Sequence, residues 1–117
     1  MIEPVAFQFN EQTAINNYYQ KKLPLSAGET QKKALLEFNS LVDKLKNKGV
    51  NVIVIKDNDE LKTPDSIFPN NWISFHQDKR IVLYPMFAKN RRYERRTDII
   101  ETIRDQHHFY IYKIVDY

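Results

Sequence analysis

The chain has 117 residues, of which 42% are hydrophobic and two are glycine, and its 18 basic and 15 acidic residues give a net charge of +3. This composition indicates an ordered globular chain of one domain or less, because disordered segments lack the apolar surface that offsets the entropy lost on ordering. The charge is too small and too evenly mixed to indicate nucleic-acid binding. The sequence contains no cysteine, which excludes disulfides, thiolate metal sites and thiol nucleophiles within these residues.

Membrane insertion is not indicated by any part of the sequence. The longest apolar runs, such as residues 52–55, are far too short to cross a bilayer, and the amino terminus has no basic segment followed by an apolar one. We therefore expect a cytoplasmic protein that does not contact a membrane.

The beginning of the chain predicts a strand and then a polar connection. Residues 3–9 approximate an alternating pattern, which is typical of a strand with one buried face. Asn10 is placed to cap a short helix starting at Glu11, because its side chain can accept from free amides at a helix start. Residues 16–22 are polar and rich in tyrosine, which indicates a surface connection.

A long amphipathic helix follows. Ser26 and Glu29 have the spacing of a capping box, and Gly49 can adopt the left-handed conformation that ends a helix. Between them, apolar residues recur at intervals of three and four and predict one apolar stripe: Ala34, Leu35, Phe38, Leu41, Val42 and Leu45.

The remainder predicts a second set of strands and one more helix. Residues 50–55 form a β-branched run that is typical of a strand covered on both faces. Residues 72–75 and 80–84 predict a hairpin, 91–106 a helix and 109–115 a final strand. Four basic residues near the start of that helix oppose its dipole, so an anion site there is more plausible than a solvated face: Arg91, Arg92, Arg95 and Arg96.

The stretch TPDSIFPNNWIS, residues 63–74, places a polar loop at the entrance of an apolar run, where binding groups are often mounted. The alternative interpretation is that its prolines and asparagines only shape a turn. Together with NRRYERRTDI, residues 90–99, the stretch resembles the amino-terminal part of the guanidino-group-modifying enzymes. This superfamily includes dimethylarginine dimethylaminohydrolase, arginine deiminase and amidinotransferases, and the FPNNW form is most similar to a bacterial amidinotransferase-like or citrulline hydrolase branch.

The resemblance implies a fold. These enzymes form a five-bladed α/β propeller of ββαβ modules, the pentein fold, and residues 1–117 would supply the first module and its lead-in as a single partial domain. Such a module should leave sheet edges uncovered. We therefore expect a complementary carboxyl-terminal chain or self-association to cover them.

The resemblance also implies roles for individual residues. The aspartate that matches Asp65 holds the substrate's α-amino group, and the arginine that matches Arg91 binds the α-carboxylate, roles that suit a charge-assisted hydrogen bond and a planar fork of donors. Phe68 would pack at the pocket wall, although such a residue is more often simply core. The alternative interpretation of Arg91 is a solvated arginine at a helix start.

Two positions depart from the resemblance. After Pro69, those relatives carry an acidic pair that holds a cationic guanidinium, whereas this chain has Asn70 and Asn71. A carboxamide cannot neutralise a guanidinium, but it can donate to a ureido oxygen and accept from an NH group. This favours an arginine-like substrate with a neutral ureido group, such as citrulline.

The catalytic groups of the superfamily are a cysteine nucleophile and a histidine general acid and base. This chain has no cysteine, and none of its three histidines falls where the resemblance puts the catalytic one. We therefore predict the substrate-positioning module of an amidinohydrolase that is inactive alone and needs no metal or cofactor. The alternatives are a self-associating small-molecule binding or assembly module and a degenerate, inactive remnant.

Overall fold

Two small β-sheets and two α-helices make up the regular structure of the chain, apart from short 3₁₀ segments. The computed structural model describes residues 1–117 and divides them into two units, Met1–Phe68 and Pro69–Tyr117. The predicted mixture of helices and strands is confirmed, and it is compatible with part of a pentein-like fold. Neither helix is both long enough and apolar enough to cross a membrane.

The first unit contains a two-stranded parallel sheet. Strand β1 (Ile2–Glu3) pairs with β2 (Ile55–Lys56). The strand predicted over residues 3–9 was wrong in its extent. The Asp57 amide still donates to the Glu3 carbonyl at 3.1 Å, but the next residue, Pro4, has no amide hydrogen with which to continue the ladder.

The prediction of a strand covered on both faces at residues 50–55 was also wrong. Only Ile55 of that run lies in β2, and Val50 and Val54 are 48% and 36% exposed. Within this unit a sheet of two short strands has too little width to bury both faces of the run.

Helix α1 (Ala27–Asn47) begins and ends as predicted. The Ser26 hydroxyl accepts from the Glu29 amide at 3.2 Å, and the Glu29 carboxylate accepts from the Ser26 amide at 2.9 Å. Both halves of the capping box are therefore formed. Gly49 has a φ of 79° and follows the last turn, as expected of a glycine that ends a helix.

The second unit contains a three-stranded sheet in the order β3, β4, β5. Strand β3 (Ile73–Phe75) is antiparallel to β4 (Arg80–Leu83), which confirms the predicted hairpin. Strand β5 (Lys113–Asp116) is parallel to β4 and starts later than the predicted strand over residues 109–115. The sheet and the following helix enclose an apolar core made of the buried residues Trp72, Ile73, Ile81, Leu83, Met86, Ala88, Ile99 and Ile100.

The second helix is shorter than the predicted helix over residues 91–106. Residues Lys89–Glu94 form a 3₁₀ turn, and helix α2 (Thr97–Gln106) begins after it. The four arginines therefore precede the helix instead of occupying its first turn. The anion site was predicted because arginines in the first turn would oppose the helix dipole. That argument for an anion site fails, since the arginines lie before the helix.

Candidate functional site

The loop at residues 63–68 is shaped by buried polar contacts. The Thr63 hydroxyl donates to the Asp57 carboxylate at 2.9 Å, and Thr63 is 1% exposed. Two turn bonds follow, from the Ser66 amide to the Thr63 carbonyl at 3.2 Å and from the Phe68 amide to the Asp65 carbonyl at 3.0 Å. These contacts fix the backbone on both sides of Asp65.

A cavity of ≈ 530 Å³ lies within the first unit, and Asp65 and Phe68 line it. This volume is in the usual range for small-molecule sites. Its wall mixes apolar, carboxylate and basic side chains, and much of it comes from residues 17–25, which we call the wall segment. Seven wall-segment residues line the cavity: Asn17, Tyr19, Gln20, Lys21, Lys22, Leu23 and Leu25.

The Asp65 carboxylate is held by two side chains from the turn after residue 9. The Asn10 carboxamide donates to Asp65 Oδ2 at 2.7 Å, and the Thr13 hydroxyl lies 3.2 Å from the same oxygen. Asn10 and Thr13 are 2% and 8% exposed, so the two residues that hold the half-buried carboxylate are themselves buried. Buried hydrogen bonds of this kind orient a carboxylate, because a different orientation would leave polar groups without partners.

The same turn also holds the wall segment. Gln20 donates through Nε2 to the Asn10 carbonyl at 2.9 Å, and its Oε1 lies 2.8 Å from the Thr13 hydroxyl. The Asn10 side chain also accepts from the Gln12 amide at 3.1 Å, but residues 11–16 form turns, so the short helix that Asn10 was predicted to cap is absent. The turn therefore joins the carboxylate to the cavity wall.

The remaining predicted substrate residues belong to the second unit. Asn70 and Asn71 lie in the 3₁₀ turn Pro69–Asn71, and both are exposed. Arg91 lies in the 3₁₀ turn Lys89–Glu94 and is part of a buried ion pair. The structure thus brings Asp65 and Phe68 to one cavity, while the other three predicted residues lie outside the unit that forms it.

The Arg91 guanidinium is bound side-on by a carboxylate. Its Nε lies 3.0 Å from Glu94 Oε1, and its Nη2 lies 2.9 Å from Glu94 Oε2. The Glu94 side chain is fully buried and that of Arg91 is 13% exposed. Because Glu94 balances the positive charge, Arg91 attracts a substrate carboxylate less strongly than an unpaired arginine would.

The other arginines of the predicted anion site also have partners. Arg92 Nε donates to the Met86 carbonyl at 3.1 Å, and Arg95 pairs with Asp116. Arg96 pairs with Asp98, and its hydrogen bonds hold the pKa of that carboxyl below its ordinary value. The basic cluster is therefore largely neutralised by carboxylates within its own unit.

Sequence reasoning missed the residues that hold the two charged side chains. It treated Asn10 as a helix cap and gave no role to Thr13, Gln20 or Glu94. Asn10 and Asp65 are 55 positions apart, and no spacing pattern reveals such a contact. A glutamate three residues after an arginine on a turn was the one available signal for the Arg91–Glu94 pair.

A family model described as "N,N dimethylarginine dimethylhydrolase, eukaryotic" matches residues 3–117. The chain belongs to this family. The match confirms the guanidino-group-modifying superfamily that the sequence resembled, and it indicates hydrolase chemistry on a guanidino group. Searches of the curated proteins and of the solved structures found no match.

Proposed function

We propose that residues 1–117 are the substrate-positioning, amino-terminal module of an amidinohydrolase that acts on the guanidino or ureido group of an arginine-like amino acid, with citrulline favoured. The module would form the first blade and lead-in of a pentein propeller. Family membership supports the reaction class, and the bound state of Asp65 supports the positioning role.

The observation that carries this proposal is the Asp65 carboxylate, fixed by Asn10 and Thr13 at the edge of a cavity of ligand size. A carboxylate in this setting binds an ammonium group through a charge-assisted hydrogen bond. Asn10 and Thr13 are neutral donors, so these two bonds orient the carboxylate without adding a positive charge. Phe68, which also lines the cavity and is 45% exposed, offers an apolar surface to the aliphatic part of the amino acid.

The choice of citrulline rests on the two asparagines. Asn70 and Asn71 are exposed carboxamides, and a carboxamide pairs with a ureido group through one donor and one acceptor. A guanidinium offers donors alone, and a neutral pair does not balance its charge. In the proposed enzyme, Arg91 would contribute to binding the α-carboxylate, although its pairing with Glu94 makes this contribution smaller than that of Asp65.

The covalent chemistry would come from a cysteine and a histidine on a complementary carboxyl-terminal segment, since these residues contain no cysteine. In the reaction type proposed, the thiolate attacks the central carbon of the ureido or guanidino group, and a general acid protonates the leaving nitrogen. Water then hydrolyses the bond between the cysteine sulfur and the central carbon, which restores the free cysteine. The module itself would supply orientation of the substrate and not bond cleavage.

A second candidate function is a self-contained amino-acid binding module. The observation that favours it is that the cavity, Asp65 and the network that holds Asp65 all belong to residues 1–68. Binding through these groups requires no cysteine. The two candidates differ in whether ligand binding occurs without an added chain.

The test is calorimetric titration of the purified chain with citrulline and arginine, together with light scattering to measure its mass. Loss of Asp65 in Asp65→Ala should weaken citrulline binding by about 10- to 100-fold, the range for a hydrogen bond to a charged group. Asp59→Ala, which removes an exposed aspartate outside the cavity lining, is the matched control and should bind as the wild type does.

The same titration is then repeated after mixing with the cysteine-bearing carboxyl-terminal segment of a family member. Citrulline hydrolysis only in the mixture would support the module of a split enzyme, and citrulline binding by the chain alone would support the binding module. Binding of arginine more tightly than citrulline would contradict the proposed substrate. Equal affinity of Asp65→Ala and wild type would remove the role of Asp65.

A further inference from the structure

The cavity of the first unit is lined by charges of both signs. Among its lining residues, Glu11 and Asp65 are acidic and Lys21 and Lys22 are basic. An amino acid carries a carboxylate beside its ammonium group, so a site for its charged end needs donors as well as acceptors. Arg91, which was predicted to bind the carboxylate, belongs to the second unit and does not line this cavity.

The Lys22 ammonium lies over an aromatic ring of the same cavity. Its Nζ is 5.6 Å from the centre of the Phe9 ring, within the range of a cation–π contact, and both residues line the cavity. This contact occupies one side of an ammonium group that has three N–H donors. Neither Lys21 nor Lys22 forms an ion pair with a carboxylate of the chain. Donors of Lys22 are therefore available to an anionic group of a ligand.

The backbone that leads to Phe9 is fastened to helix α1. The Phe7 amide donates to Gln31 Oε1 at 2.7 Å, and Gln31 Nε2 donates to the Pro4 carbonyl at 2.7 Å. Phe7 and Phe9 are both half-buried, and both line the cavity. The ring that holds the Lys22 ammonium is thus mounted on a backbone fixed two residues earlier.

This arrangement distinguishes Lys22 from its neighbour. Binding through a long, exposed side chain costs the entropy of immobilising it. The ring of Phe9 already restricts the Lys22 ammonium, whereas Lys21 has no such ring contact. Lys22 is therefore the better placed of the two to bind a carboxylate.

We propose that Lys22, held over Phe9, binds the carboxylate of an amino-acid ligand in the cavity of the first unit and selects ligands that carry this group. Lys22 and Phe9 are then specificity-determining residues that belong to the same unit as the cavity. The choice of an amino acid as the ligand rests on the proposed function. The binding of a carboxylate at Lys22 is tested without it.

The test compares four small molecules that carry different sets of groups. Citrulline has a ureido group, an ammonium and a carboxylate. Its decarboxylated analogue lacks the carboxylate, its deaminated analogue lacks the ammonium, and pentanoate keeps the carboxylate and the aliphatic chain alone. Each is titrated into the full 117-residue chain at low ionic strength, where ion pairs are screened least, and binding is followed by NMR chemical shifts.

The principal variant is Lys22→Met, which keeps a long side chain but removes the ammonium. It should weaken binding of the three carboxylates by about fivefold, the range of an exposed ion pair, and leave the decarboxylated analogue unchanged. Lys22→Arg keeps a positive charge and should retain most of the affinity. Lys32→Met removes an exposed lysine of α1 that does not line the cavity, and it should bind all four molecules as the wild type does.

Two further variants test the choice of residue. Phe9→Leu keeps an apolar side chain but removes the ring, and it should weaken the same three carboxylates by about twofold. Lys21→Met should have a smaller effect than Lys22→Met. Equal effects of the two lysine variants, or equal affinity of Lys22→Met and wild type for the carboxylates, would overturn the assignment of Lys22.

Failure of the proposed function gives a different result from failure of this inference. A wild type that binds pentanoate but not citrulline, with pentanoate binding weakened in Lys22→Met, contradicts citrulline as the ligand and supports Lys22 as the carboxylate-binding group. Citrulline binding that is unchanged in Lys22→Met keeps the proposed function and overturns the role of Lys22. A wild type that binds none of the four molecules contradicts both.

Discussion

The two charged residues predicted to hold an amino-acid substrate are supported in opposite ways. In the first unit, Asp65 is held by a carboxamide and a hydroxyl, which are neutral donors. In the second unit, Arg91 is held by Glu94, a carboxylate with a fully buried side chain. The two bonds to Asp65 orient its carboxylate through neutral groups, whereas the bonds to Arg91 set a carboxylate of opposite charge beside the guanidinium.

This difference separates a binding group from a structural one. A charged residue that must attract a ligand loses much of its attraction when a partner of opposite sign is fixed beside it. A charged residue that must remain inside the fold requires such a partner, because burial of an isolated charge is costly. Arg91, with Glu94 fixed beside it, fits the second description, and the position of Asp65 at the cavity favours the first. The predictions below test this contrast, beginning with the largest expected effect.

Breaking the Arg91–Glu94 pair should strongly destabilise the fold. Glu94→Gln keeps the shape of the side chain but leaves the Arg91 guanidinium, 13% exposed, without its balancing charge. We expect a loss of about 4 kcal/mol in the free energy of unfolding, measured by urea denaturation. Replacing both residues by methionine should cost less than this single change, because neither charge of this pair then remains.

An exposed pair nearby provides the control for burial. Asp98→Asn removes the partner of Arg96, and the Asp98 side chain is 60% exposed. Surface ion pairs contribute about 0–1 kcal/mol, so this change should be small. If Glu94→Gln proved no more destabilising than Asp98→Asn, the Arg91–Glu94 pair would not be structural and the contrast with Asp65 would fail.

The next largest loss of stability is expected from a substitution in the apolar core of the second unit. Trp72 is 1% exposed and packs among the residues of the three-stranded sheet. We expect Trp72→Ala to destabilise the chain by about 3 kcal/mol through the cavity it leaves. Thermal melting measures this, with Phe75→Ala as the control because Phe75 is 43% exposed. A variant that melts at the wild-type temperature would show that Trp72 does not stabilise this core.

The sequence predicted those elements that local patterns specify. The capping box at Ser26, the glycine that ends α1 and the hairpin of β3 and β4 each depend on residues close together in the chain, and all three are confirmed. Elements that depend on distant partners were predicted less well. The β-branched run at 50–55 met a partner strand of only two residues, Ile2–Glu3, so most of it is not in a strand.

In the candidate site, too, the local features were predicted and the contacts between distant residues were not. The loop that carries Asp65 was identified from its prolines, aspartate and asparagines, because such residues shape loops locally. The network that holds Asp65 was not, because Asn10 and Thr13 lie more than 50 positions away. Similarly, the buried state of Glu94 could not be read from a sequence in which it appears as one acid among four arginines. Burial is a property of the packed fold and not of local spacing.

The smallest effect concerns a carboxylate of the first unit that, like Asp65, is held by neutral donors. The Ser26 hydroxyl donates to Glu29 Oε2 at 2.7 Å and the Ser26 amide donates at 2.9 Å, and these bonds hold the pKa of Glu29 below its ordinary value of 4.5. A carboxyl whose pKa is lower in the folded state stabilises the fold above its unfolded pKa. This contribution is lost as the pH falls from 4.5 through the lowered pKa of the folded state.

We therefore expect Glu29→Gln to lower the stability of the chain at pH 7 and to have a smaller effect at pH 3. Urea denaturation at the two pH values measures the difference, and Glu37→Gln, at an exposed position within α1, is the control for loss of one negative charge from the helix. An effect of Glu29→Gln that is equal at both pH values would mean that the capping box does not distinguish the ionised carboxylate from the neutral carboxamide. Neutral donors would then orient a carboxyl group in this unit without favouring its charge, and the case for Asp65 as the ammonium-binding group would rest on its position in the cavity alone.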